Sequence, residues 1–165
     1  MDLLQGFDID FCTTAAGAPG IRILEYAGMD EVDAESWEPA VDAGYVQRRA
    51  VSAQWHPLPF VSGTGSWTED SNPDAQGQVY KNTITVFLPG DSAEIRGEID
   101  RMDRRRFLLR LTGRDDRPIL LGAPEQPMSF ESRFEAGSPS GDQRGHRCRF
   151  GGESLAKSPD YIPTF

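Results

Sequence analysis

The chain predicts a mainly β fold: an antiparallel β-sandwich or barrel with one flanking α-helix at about residues 91–104. Three observations predict it. Runs at Tyr80–Leu88, Met128–Glu135 and His146–Phe150 alternate between two faces with a period of two, as half-buried strands do. The 165 residues include 17 Gly and 12 Pro, a turn-rich composition that suits many short strands. After Pro89-Gly90, Ile95, Ile99 and Met102 recur at helical spacing and give one narrow apolar stripe.

Taken in order, the elements support this class. Phe7, Ile9 and Phe11 alternate with Asp8 and Asp10 and permit a short strand, and Thr13 to Gly20 reads as a loop. Ile21 to Tyr26 is a strand. Gly28 to Gly44 is a long acidic loop centred on Trp37, which either pins the loop or anchors a contact. Tyr45 to Val61 is a second β region broken at Pro57 and Pro59, so it is an edge or ends near Trp55. Ser66 to Glu69 starts a strand, and Asp70 to Gln78 is a polar loop that feeds the Tyr80–Leu88 strand. In that strand Tyr80, Asn82, Ile84, Val86 and Leu88 share one face. Asp91 or Ser92 caps the helix, with Glu94 at capping-box spacing from Asp91. Phe107, Leu109 and Leu111 share a face of the next strand, and Gly113 to Pro118 turns the chain into Ile119–Gly122. Met128–Glu135 and His146–Phe150 form a further hairpin around the loop Gly137–Gly145.

The length indicates one domain, with an acidic N-terminal segment and loop (1–44) and an extended C-terminal arm (152–165). The net charge of −9 is concentrated: residues 1–42 hold ten acids and one base, whereas residues 43–165 hold sixteen of each. That balance argues against reading nucleic acid, which needs cations on phosphates. Cys12 and Cys148 follow neither disulfide nor metal spacing. No basic leader and no apolar run of about 20 residues is present, so a soluble protein made in the cytoplasm is expected.

Candidate chemistry is sparse. Asp8 and Asp10 lack a third acid at calcium-loop spacing. His56 has no nucleophile near it in sequence, and Gly63-Thr64-Gly65 lacks the lysine and the following helix of a phosphate loop. Arg104, Arg105 and Arg106 follow the helix, where cations complement its dipole. Asp115 and Asp116 sit at an exposed turn, which has no cleft to shift a carboxylate pKa. His146 and Cys148 point the same way from one strand, the arrangement of a Cys–His pair or half a metal site, but nothing in sequence completes either. No catalytic, cofactor-binding or metal-ligating residue is therefore selected, and the chain is not expected to be an enzyme. The candidates for subunit contact are Trp37 and the arm residues Leu155, Tyr161, Ile162 and Phe165, since a free tail would not usually hold so many apolar side chains. The arm docks on its own domain or on a neighbour; if on a neighbour, its removal from Ser158 to Phe165 is expected to abolish assembly and leave the monomer folded.

The strand GQVYKNTITVFLPG, the run RRFLLRLTGRDDRPILLG and the ending SGDQRGHRCRFGGESLAKSPDYIP give an order that resembles tail structural proteins of bacteriophages and prophages, especially those of Bacteroidetes-type genomes, and the wider group of tail tube proteins. The resemblance covers roughly residues 60–163. It implies a virion protein whose subunits form rings, hexameric in such tubes, that stack and conduct DNA during ejection. It also implies contacts with copies of itself and with other tail proteins, no cofactor, no membrane, and DNA only as non-specific cargo in a lumen. Two other readings accompany it. One is a head–tail connector or terminator. The other is a monomeric β-barrel with a small-ligand or glycan pocket lined by Trp37, Trp55, Trp67 and Tyr80.

Overall fold

A computed structural model describes residues 20–37, 41–43, 46–49, 51–75 and 77–161. The Phe7–Phe11 strand, Cys12, Ile162 and Phe165 lie outside the described residues. The fold is mainly β, as the alternation predicts, with one α-helix. Its strands are β1 (Ile21–Gly28), β2 (Val41–Ala43), β3 (Val46–Arg49), β4 (His56–Pro57), β5 (Ser66–Asp74), β6 (Gly77–Pro89), β7 (Arg106–Gly113), β8 (Pro118–Leu121), β9 (Met128–Glu135), β10 (Gly145–Ser154) and β11 (Asp160–Tyr161). The helix, α1 (Ala93–Met102), links β6 to β7.

The strand order is β2-β3-β11-β8-β7-β9-β10-β6-β5, with β1 on the other edge of β7 and β4 beside β1. All pairings are antiparallel except β11 with β3. Strand β7 is the branch point. Strands β9 and β8 lie end to end along one of its edges, pairing with Arg106–Phe107 and with Leu109–Thr112. The sheet therefore divides into an arm β9-β10-β6-β5 and an arm β8-β11-β3-β2. It does not close into a barrel. The chain between β4 and β5 spans the gap between β1 and β6, with Leu58 N donating to Leu24 O at 2.8 Å and Val61 N to Phe87 O at 2.9 Å.

Alternation predicts the faces correctly. On β6, Asn82, Ile84, Val86 and Leu88 are buried, and on β10 His146, Cys148 and Phe150 are buried. On β7, Phe107, Leu109 and Leu111 face the main core, together with Leu24, Tyr26, Met128, Phe130 and the helix residues Ile99 and Met102. Edge-to-face rings tie this core together: Phe107 lies 5.9 Å from Phe150 and 5.8 Å from Tyr26. Leu108, on the opposite face of β7, is equally buried and belongs to a second core with Val51, Leu120 and Tyr161, flanked by Met29, Val32, Trp37 and Trp55.

Three expectations change. The stretch Asp70 to Gln78 is not a loop: β5 and β6 pair through to Asp74↔Gly77 and form a projecting two-stranded ribbon. Its residues are polar and exposed, so no apolar alternation announces them. The acidic segment 28–44 is not unstructured throughout. It contains 3₁₀ turns at Met29–Glu31 and Ala34–Ser36, a bridge from Val32 to Ala53, and β2. The helix is shorter than residues 91–104 and Ser92 caps it, its Oγ accepting from Ile95 N at 3.2 Å. Asp91 is occupied elsewhere.

Candidate functional site

The polar residues singled out by sequence separate into local structural groups. His146, on β10, donates from Nε2 to the Asp91 carboxylate across 3.0 Å. Asp91 stands just before α1 with its side chain 4% exposed. It also forms ion pairs with Arg96, one turn into the helix, and with Arg144 at 3.2 Å. The Arg96 guanidinium in first place, helped by the bonds from His146 and Arg144, holds the Asp91 carboxyl well below the usual carboxylate range. His146 thus serves as a clasp at the helix start. Cys148, two residues on, is fully buried, and burial pushes its thiol up to about 12. A thiol so held is protonated at neutral pH and is a poor nucleophile. The two side chains share a face, as expected, but the carboxylate engages the imidazole and the apolar core encloses the sulfur.

His56 does find an acid, which its sequence neighbours did not suggest. Its Nε2 lies 3.1 Å from both carboxylate oxygens of Glu31, and its ring packs 5.4 Å from Tyr26. The Tyr26 hydroxyl donates to Glu98 Oε1 at 2.6 Å and joins β1 to the helix. Burial first, then this bond to a carboxylate, drives the Tyr26 pKa upward, and the same bond lowers that of Glu98. Tyr26 therefore keeps its proton as a structural donor. At the β7–β8 turn, Asp116 pairs with Arg22 and Asp115 Oδ1 accepts from Arg117 N at 3.3 Å. Arg105 pairs with Asp30 at 3.3 Å. Thr64 of the Gly-Thr-Gly run caps a turn by donating to Val61 O at 2.6 Å. Among the described residues no group of three His, Cys, Asp or Glu side chains is arranged to hold a metal ion.

The aromatic residues offered as a ligand pocket do not converge. Trp37 and Trp55 flank the second core, whereas Trp67 packs on the main one and donates Nε1 to the buried Asn82 at 3.0 Å. Trp55 instead stacks on Arg110, whose guanidinium lies 4.8 Å from the Trp55 ring and 5.0 Å from Tyr161. Arg110 in turn forms a bidentate pair with Glu25, at 2.6 and 2.7 Å. An apolar groove of about 660 Å³ lies elsewhere, between Ile21–Leu24 and Pro57–Phe60.

The contact candidates fall in different places. Tyr161 is buried in its own chain's second core, with its hydroxyl donating to Val51 O at 3.3 Å. The arm that leads to it is tied to its own domain. Ser158 donates from both N and Oγ to Glu69 Oε2, at 3.0 and 2.7 Å, Leu120 N donates to Pro159 O at 2.9 Å, and Arg117 pairs with Asp160 at 2.8 Å. Trp37 is half-buried against the second core. Leu155 is 60% exposed and remains open to a partner. Sequence reasoning missed the projecting ribbon and the exposed Phe134, which stands at the end of the inward face of β9. No family model matches the chain, and no curated protein or solved structure matches it. No helix among the described residues is long and apolar enough to cross a membrane.

Proposed function

We propose that the chain is a structural subunit that assembles with copies of itself, of the tail tube type its sequence resembles. One observation carries this reading: β5 is a long sheet edge that continues into a ribbon standing clear of the body. It pairs with β6 along its whole length, from Ser66↔Thr85 to Asp74↔Gly77, and no strand among the described residues lies on its other side. An edge of that length offers unpaired backbone groups to another chain, and repeated head-to-tail contacts between copies close into rings or extend into filaments. Both histidines and the carboxylates of Asp91, Glu31, Glu25 and Glu98 are engaged in clasps and ion pairs, and Cys148 is enclosed by the core, which suits a building block better than a catalyst. In this reading the rings stack into a virion tail tube, made in the host cytoplasm, whose other partners are tail proteins. The chain's net charge of −9 favours DNA passing through without adhering. A connector or terminator built on the same contacts would stop at a single ring.

The test is light scattering and negative-stain microscopy of the purified chain across a concentration series. Tubes support the tail tube reading and isolated rings the connector. A chain that stays monomeric at every concentration and with added tail components would sink both.

A further inference from the structure

The projecting ribbon and the start of the helix lie at opposite ends of β6, and we infer that they dock on each other between copies: the Pro73–Asp74 tip of one chain seats on Phe134, Arg96 and Arg144 of the next. This rests on the self-assembly reading above and names its contact.

The receiving surface is preformed. Phe134 is 40% exposed, and its ring lies 5.1 Å from the buried His146 ring. The guanidiniums of Arg96 and Arg144 lie 5.7 and 5.4 Å from its centroid. Both arginines are held by the same buried carboxylate of Asp91, yet their side chains remain 60% and 62% exposed. An exposed aromatic ring between two arginines fixed by a carboxylate has the composition of an interface hot spot. Its side chains are already ordered, so little rotamer freedom is lost on binding.

The occupant has complementary chemistry. Strand β10 pairs with β6 only as far as Tyr80, so the residues from Asn72 to Asp74 and from Gly77 to Val79 pair only with each other. An isolated two-stranded ribbon is marginally stable in water, and a surface that receives it stabilises it. From Ser66 to Tyr80 the ribbon holds Glu69, Asp70 and Asp74 and no Lys or Arg. Glu69 is engaged by Ser158, and Asp70 stands opposite Lys81 in register. Asp74 is left at the exposed tip, where among the described residues it accepts only from its neighbour Ala75 N at 2.6 Å, with Pro73 beside it. The proline ring covers the Phe134 face while the Asp74 carboxylate accepts charge-assisted hydrogen bonds from the Arg144 guanidinium. The 13 residues of β6 separate tip and surface by about 40 Å at the usual rise of a strand. Because the two ends differ, the contact is head-to-tail and repeats from copy to copy.

Cross-linking tests the contact directly. In a Cys12→Ser background, Asp74→Cys and Phe134→Cys proteins are purified separately, mixed and oxidised, the native Cys148 being buried. A disulfide-linked dimer at least tenfold more abundant in the mixture than in either protein alone is expected. Independently, Asp74→Arg should weaken self-association about tenfold or more without moving the thermal melt. Adding Asp74→Arg protein to Arg144→Asp protein should restore it. If wild-type and Asp74→Arg proteins assemble equally well and no cross-link forms, this contact is wrong and self-assembly stands. A wild-type chain that never assembles removes the contact together with the reading on which it rests.

Discussion

The two faces of β7 support cores of opposite construction. Phe107, Leu109 and Leu111 look into a large core whose members come from long, alternating strands and one amphipathic helix. Leu108 looks the other way, into a small core assembled from single residues of short strands and connections: Val51 from between β3 and β4, Trp55 from before β4, Tyr161 from the two-residue β11, and Leu120 from β8. The large core excludes water by area. The small one is held by specific polar geometry, with Arg110 stacked between Trp55 and Tyr161 and fixed by Glu25. Burial that follows a repeating pattern can be read from sequence, and burial built residue by residue cannot.

Mutations can break this comparison. The largest effect is expected at the centre of the large core, where Phe150 is fully buried among Phe107 and Phe130. Phe150→Ala should cost about 3–5 kcal/mol by denaturant titration, since it removes an aromatic side chain and leaves a cavity. In the small core Tyr161→Ala should cost about 2 kcal/mol, the lost burial of one side chain. It should also change the tryptophan emission, because the Tyr161 ring lies 5.9 Å from Trp55. Equal losses at the two sites would show that the small core contributes as much per side chain as the large one. Removing residues from Ser158 onward takes away the same ring and the Ser158–Glu69 bonds, so the truncated monomer should be destabilised. Of the two docking places that the sequence leaves open, these contacts are with the arm's own domain.

Acid should act first at the helix end of the large core. The Asp91 carboxyl, held by Arg96, His146 and Arg144, takes up a proton less readily folded than unfolded. The unfolded chain then binds more protons as pH falls. The contribution is therefore complete well above the ordinary value of 3.8 and is lost as pH drops through and below it. Glu98 and Glu135, also lowered, add to the same trend. Asp91→Asn should flatten the acid limb of a stability–pH curve between about pH 5 and 2, measured by urea midpoints. An unchanged limb would place acid sensitivity elsewhere. The smallest effect is expected from Trp55→Phe. Among the described residues the buried indole Nε1 has no hydrogen-bond partner, so its removal relieves an unmet donor while a ring remains over Arg110. A change within about 1 kcal/mol is anticipated, and a larger loss would mean that the indole's extra area matters more than its unpaired N–H.

Much of the large core was legible. The inward sets of β6 and β10 and the helix stripe Ile95, Ile99 and Met102 follow from period alone. Leu108 was not assigned a core, because a strand buried on both faces does not alternate. The ribbon was hidden for the converse reason: Ser71, Asn72, Pro73 and Asp74 are held by pairing with β6 and bury nothing. Among the site residues, the inward direction of His146 and Cys148 was readable, but their partners were not. Asp91 is 55 positions from His146, Glu31 is 25 from His56, and Glu25 is 85 from Arg110. Such pairs have no local signature.

The position of β11 sets an order of events during synthesis. The large core draws its residues from Ile21 to Phe150 and can consolidate as soon as β10 has emerged. The small core must wait for Tyr161, whose hydroxyl reaches back 110 positions to Val51. Until then β8 has no strand to connect it to β3, and Leu108 and Leu120 stay uncovered. A chain in which β11 is undocked is therefore at a stage with its main core complete and one apolar face open. A two-residue strand ends that stage and removes a surface on which chaperones could hold the chain or premature contacts could form.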